Sequence, residues 1–233
     1  MARASAESRL QDIAVAGGRC FARLGYRRTR MAEVAAAAGL STGAVYTYVE
    51  SKEALLHLVL AVGLGTPAEE FTDLPLSAPA FDATIAMVGR GLIRHGTTPL
   101  LKSAIAASAP ADVRAELAAV VREQYETVER LRNVLSVIEA CAADLPQLEE
   151  LYFGRGRRGR IDLLRDYLER RAAARQLRPF PDMAVAAQIV TETVAWFAWK
   201  RHEGRDASRF DDDLTRQTVV EFVCTALLPP DAA

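Results

Sequence analysis

Counting from Met31, a small residue falls at the fifth place (Ala35), a glycine at the ninth (Gly39) and a branched apolar residue at the fifteenth (Val45). Few patterns constrain a fold more tightly. Two helices that cross closely leave room only for a small side chain at the crossing. The sharp turn between them wants a positive φ, which glycine adopts without strain. Beyond the turn an apolar branch must insert between the helices, here beside Val34 and Leu40. The spacing predicts a short helix over 31–37, a tight turn, a second short helix over about 42–48, and a longer helix starting near Ser51. Ser41 and Ser51 are good N-caps. Upstream, Leu10, Ile13, Gly17, Cys20, Phe21 and Leu24 share one helical face over about 6–24, and Gly25 is a plausible stop.

Helical patterning continues over about 81–95, 97–107, 110–142, 145–176, 182–203 and 211–228, with Pro or Gly at most breaks. No strand pattern and no internal repeat interrupt it. The expected fold is all-α: a three-helix helix-turn-helix domain over 1–64, then a helical bundle over 65–233. The stretch 65–80, with its prolines and weak periodicity, marks the boundary. Net charge over all 233 residues is −1, which argues against a nucleic-acid partner until it is divided: residues 1–64 carry +3 and the rest −4. A mildly basic head on an acidic body fits a DNA-binding module joined to something that does not bind DNA.

Other features close off classes of function. No apolar stretch approaches the roughly 20 residues of a membrane span, and the start has no apolar core of a secretory signal. Cys20, Cys141 and Cys224 are far apart, as are His57, His95 and His202. Neither set offers a disulfide framework or a zinc site, so no metal and no cofactor are expected, and a reducing cytoplasm is the expected address. Gly39–Gly43 spells G-x-S-x-G, but a nucleophile elbow needs a preceding strand and AEVAAAA is helical. Gly154–Gly159 spells G-x-G-x-x-G without the strand–turn–helix unit of a dinucleotide site; it reads as a flexible or kinked connection between helices. The arginine-rich stretch 155–178 reads as the wet face of an amphipathic helix with Leu163, Leu164, Tyr167 and Leu168 inward, the alternative being an anion-binding surface.

Residues 10–60 resemble the DNA-binding head of the TetR family of bacterial transcriptional regulators. The resemblance rests on the first amphipathic helix ending in LGY, on TRMAEVAAAAGLS, and on GAVYTYVESKEALL. Two departures stand out: the recognition helix often ends Tyr-x-His-Phe in that family and here runs Tyr46-Thr47-Tyr48-Val49, and Arg30 stands where a second Thr is frequent. A helix-turn-helix lays its second helix in the major groove. Ser41 caps that helix and opens the DNA-facing stretch. Thr42 is placed to bond a base edge and Ala44 to meet a thymine methyl, while Gly43 lets the backbone approach. Tyr46, Thr47 and Tyr48 offer hydroxyls to phosphates, with Tyr46 alternatively part of the core. Lys52 sits at the next helix N-terminus, where a phosphate oxygen is welcome. Thr29 and Arg30 would hold the strand at the start of the second helix.

One recognition helix buries too little to bind tightly, so a two-fold dimer on an inverted-repeat operator is expected. The last two helices are the candidates. Val185 and Ile189, with Val219, Phe222, Val223, Ala226 and Leu227, either pair with a second copy in a four-helix bundle or close the core of one chain. The resemblance further implies a ligand pocket in the body, with Met87, Tyr125, Tyr152, Phe153, Trp196 and Trp199 as candidate lining residues. The expected function is that of a dimeric, ligand-responsive transcriptional repressor that a small-molecule effector releases from double-stranded DNA. An activator of the same architecture and a helical enzyme are the alternatives.

Overall fold

A computed structural model describes residues 2–107, 110, 112–204 and 208–230, with side chains from Ser8 onward. The described residues form helices joined by turns and loops, with one isolated bridge between Val49 and Leu76. They divide into two compact units: residues 1–95 with 133–154, and residues 96–132 with 155–233.

The first unit contains α1 (Ala2–Arg28), α2 (Met31–Ala37), α3 (Thr42–Tyr46), α4 (Lys52–Gly63) and α5 (Phe81–His95). The end of α7 (Val113–Ala142) and α8 (Pro146–Glu149) complete it. The local chemistry explains the boundaries. Gly25 takes φ 75° and kinks α1 near its end. Arg30 is the extended N-cap of α2, and its N–H donates to the Glu33 carboxylate at 2.9 Å. Gly39 takes φ 67° in the turn. Ser41 Oγ accepts from Ala44 N at 3.1 Å and starts α3, and Ser51 Oγ does the same for α4 through Ala54 N. Ala35 and Val45 are buried where the crossing and the insertion require them. After α4 the chain returns to α3: Leu76 N donates to Tyr48 O at 2.8 Å, and Glu50 N donates to Leu76 O at 3.0 Å.

The second unit packs α6 (Pro99–Ala106), the earlier part of α7, α9 (Arg158–Ala173), α10 (Met183–Ala198) and α11 (Asp212–Leu227). Its core joins Leu101, Leu117, Val121, Leu164, Leu168, Val190, Val194 and Val223, among others. Burying such side chains contributes about 1.5–3 kcal/mol each. Asp182 and Asp211 cap α10 and α11 through backbone N–H groups. Two arginines of this unit, Arg171 and Arg201, are buried, and Arg171 is built into a network. The Arg171 guanidinium donates to both oxygens of Glu116 (2.8 and 3.0 Å) and to Ala104 O (2.7 Å), and Tyr167 OH donates to the same carboxylate at 3.1 Å. Arg171 is therefore not on the wet face of its helix, although Leu164, Tyr167 and Leu168 do point inward.

The segment Glu150–Arg157 is wound as a π-helix. It lies between α8 and α9 and carries the first two glycines of the G-x-G-x-x-G string. The Glu150 carboxylate folds over Gly154 and would have to swing aside for a side chain there. Here the anticipated kink takes the form of a wider helical turn.

Candidate nucleic-acid interface

The outer side of α3 is open. Ser41, Thr42, Gly43, Tyr46 and Thr47 are exposed, Ala44 and Tyr48 half-buried. Tyr46 is 45% exposed, which takes it out of the core. Thr47 Oγ1 donates to Ala44 O at 2.7 Å, a local bond that leaves its oxygen free to accept. A Cβ built on Gly43 meets nothing within 4 Å. The packing of this chain therefore places no demand on smallness at Gly43.

Two of the sequence-derived phosphate contacts have other employment. Thr29 is buried, and its hydroxyl donates to Gly25 O at 2.7 Å and lies 3.3 Å from Cys20 O. Lys52 Nζ donates to the carbonyls of Tyr26 (3.1 Å), Thr29 (3.2 Å) and Arg27 (3.3 Å), and lies 4.6 Å from the centre of the Tyr26 ring. The cause is the kink at Gly25. It ends the regular helical ladder and leaves carbonyls without amide partners, which Thr29 and Lys52 then satisfy. Both side chains thus spend their polar atoms inside the unit, Thr29 buried and Lys52 half-buried. Arg30 remains exposed at the start of α2, alongside Arg27 and Arg28.

Sequence reading missed the residues that hold this corner from outside. Tyr26 OH donates to Glu53 Oε1 at 2.6 Å. Burial and then this bond push the phenol up, while the bond draws the Glu53 carboxyl down against the opposing effect of burial. Asp144 accepts from Arg27 N at 2.8 Å. Tyr26 was visible as the end of the LGY string. Asp144, 117 positions from its partner, gives no local signal.

The second open surface lies on α10 and α11. Val185, Ile189, Trp196, Leu214 and Phe222 are all more than 40% exposed, Phe222 at 67%. Val185, Ile189, Leu214 and Phe222 border two apolar grooves of about 290 and 480 Å³. Ala226 is exposed with them, but Val219, Val223 and Leu227 are 3% exposed and belong to the core of the unit. The reason is register. Residues 219, 223 and 227 form one stripe of α11, and Leu214, Thr218, Phe222 and Ala226 form the stripe beside it. The apolar pattern covers both stripes, and only one turns inward.

The six pocket candidates are not brought together within either unit. Met87, Tyr152 and Phe153 are in the first, and Tyr125, Trp196 and Trp199 in the second. Tyr152 and Phe153 meet edge to face at 4.9 Å. Tyr125 OH donates to Phe197 O and Trp199 Nε1 to Glu203, so both spend their polar atoms on their own unit. Trp196, at 43% exposure, borders the open apolar face and does not line an enclosed cavity. Among the described residues, no group of three His, Cys, Asp or Glu side chains could hold a metal ion, and no helix is long and apolar enough to cross a membrane.

Residues 13–59 match the model of the "bacterial regulatory proteins, tetR family". No curated protein matches the chain. Among solved structures, the chain is similar to the ketosteroid transcriptional regulator KstR2 of Mycobacterium tuberculosis, at 15% identity, 95% coverage of each chain and a TM-score of 0.57. It is also similar to NalD, the secondary repressor of the MexAB-OprM multidrug efflux pump in Pseudomonas aeruginosa, at 17% identity with 97% of this chain and 99% of that one covered and a TM-score of 0.51. AibR, solved in complex with isovaleryl coenzyme A and operator DNA, is similar at 19% identity over 92% and 97% of the two chains, with a TM-score of 0.50. Residues 13–59 thus match the tetR family of bacterial regulatory proteins, and the helical chain that carries them is similar in fold to KstR2.

Proposed function

We propose that this protein is a ligand-responsive transcriptional repressor that binds an inverted-repeat operator as a homodimer and leaves it when a small molecule binds. In this reading it is a cytoplasmic protein without catalytic activity. Residues 1–64 read DNA, and residues 65–233 bind the effector and pair the chains. The observation that carries the reading is the open face of α3. Thr42, Gly43, Tyr46 and Thr47 are exposed on a helix fixed by its Ser41 cap and by the buried Val45, and Gly43 is small where nothing internal requires it. Thr42 would bond a base edge and Ala44 would meet a thymine methyl. Ser41, Gly43, Tyr46, Thr47, Tyr48 and Arg30 would face or approach the backbone, fixing register without reading sequence.

The exposed stripe of α11, with Val185 and Ile189 of α10, supports pairing with a second copy. Contiguous apolar area of this kind is unusual on a monomer. Two heads held about 34–36 Å apart meet successive major grooves. An effector that binds better to chains with displaced heads shifts the population off DNA. A nearly complete switch requires a differential affinity of about 5.5 kcal/mol. The kinship in fold with NalD, named as a repressor, supports repression, and that with AibR, solved with isovaleryl coenzyme A and operator DNA, supports a small-molecule effector.

The test is selection of duplexes from a random double-stranded pool by the purified chain, followed by gel shifts on the enriched sequence. Enrichment of an inverted repeat is the expected result. A pool that stays random after repeated rounds overturns the reading.

A further inference from the structure

Within the first unit, the end of α7 is seated directly on the corner between α1 and α2. A Cβ on Gly25 would lie 2.8 Å from Ala140 O, so the α7 backbone comes as close as a glycine permits. Gly25 also holds φ 75°, a conformation that other residues reach only with strain. Two residues on, Arg27 N donates to Asp144 Oδ2 at 2.8 Å, and the Arg27 guanidinium lies 3.6 Å from the other carboxylate oxygen. The opposite polarity of the same corner, the carbonyls of Tyr26, Arg27 and Thr29, is held by Lys52. Cys141 is buried close by, and its thiol is pushed up to about 12, first by burial and next by the Asp144 carboxylate, with Lys52 opposing.

The corner therefore has a donor clamp from α4 and an acceptor clamp from beyond α7. Three residues after Arg27 the chain caps α2, which crosses α3. We propose that Asp144 is a positioning residue for operator binding: by accepting the Arg27 N–H it sets the angle at which α2 and α3 leave α1. The inference rests on the DNA-binding reading given above. The ion pair adds little, because Arg27 is 80% exposed. The acceptor oxygen, on a side chain only 22% exposed, carries the effect. Electrostatics separates this role from a direct one. Removing an acid near a polyanion should by charge alone tighten binding, so weaker binding can arise only through geometry.

The experiment uses the full chain and the duplex selected by the wild type. Affinities of wild type, Asp144→Ala and Asp144→Asn are measured by fluorescence anisotropy across a salt series, with melting temperatures recorded alongside. Asp144→Ala is expected to bind about tenfold more weakly, the scale of one lost charge-assisted hydrogen bond, with the salt slope of the wild type. Asp144→Asn keeps an acceptor and is expected within about threefold of the wild type. Wild-type affinity in Asp144→Ala overturns the proposal, as does equal weakening of both variants. Should Asp144→Ala fail to fold, amide exchange at Arg27 in Asp144→Asn decides: retained protection supports the clamp, and lost protection with binding intact overturns it. If the wild type selects no duplex, the DNA-binding reading fails and the hydrogen bond at Arg27 is untouched by that result.

Discussion

Two surfaces of this protein are left open, and they are open in opposite ways. The outer side of α3 shows hydroxyls, a glycine and an alanine methyl, and none of its residues is charged. The face of α10 and α11 shows isoleucine, valine, leucine, tryptophan and phenylalanine. A hydroxyl-bearing surface costs little to expose to water, and it binds where a partner offers donors and acceptors in register. A bulky apolar surface is costly to expose, and its release is the driving force of association. The contrast fits the proposed recognition by the first surface and assembly through the second, and each proposal can be broken separately.

The largest expected effect is on assembly. Ile189→Glu with Phe222→Glu places charges on the open stripe without touching Val219, Val223 or Leu227 beneath it. Light scattering should show the proposed dimer reduced to half its mass. Operator affinity should fall by roughly 10²-fold or more, because the second head no longer binds at high effective concentration. A dimer that survives both charges places pairing elsewhere. Next in size is recognition. Thr42→Ala should change the preference at particular base pairs by about 1–3 kcal/mol and leave the others alone. Uniform weakening across an operator mutant series would show that Thr42 reads no base. Arg30→Ala should act on all duplexes alike and flatten the dependence of log affinity on log salt by about one unit. An unchanged slope would remove Arg30 from the phosphate contacts.

The smallest effect sharpens the comparison with pH. His57, in the first unit, is held below its usual pKa by burial. His202, in the second, is held down by burial and then by the Arg201 and Arg132 cations, against the Asp212 carboxylate. In both cases the unfolded chain binds the proton more readily. Stability is therefore complete above the unfolded value near 6.5 and is lost as pH falls below it. Melting temperatures measured between pH 7.5 and 5.5 should decline, and His57→Gln and His202→Gln should each remove part of the decline. A flat profile in the wild type would sink both assignments.

How far the sequence was legible depends on the range of the interaction that decides each feature. The bounds of α2 and α5 follow from caps and periodicity within a few residues, and the sequence expectation for them matches the structure. The helix α3 was expected to reach 48 and stops at Tyr46. Its neighbour Leu76, from beyond α4, takes up Tyr48 O, and no local rule announces that bond. The expected run 145–176 is interrupted by the π-helix over Glu150–Arg157, where the absence of a side chain at Gly154 leaves room for the Glu150 carboxylate. Thr29 and Lys52 show the same limit at the candidate site. Their donors were evident from residue type, but the carbonyls that claim them exist only because Gly25 breaks the ladder. On α11 the apolar residues were correctly identified, while the choice of inward stripe belongs to the packing of α9 and α10 around it.

The guanidinium of Arg171 and the carboxylate of Glu116 bear on how such a chain can vary. Inside the second unit each charge is tolerable only because the other is present, and loss of one alone would leave a dry ion worth about 3–5 kcal/mol of instability. Positions 116 and 171 can therefore be exchanged for apolar residues only as a pair, with Tyr167 refitted at the same time. Single-step drift there is closed, and a lineage carrying this core inherits the two charges together or rebuilds the site entirely.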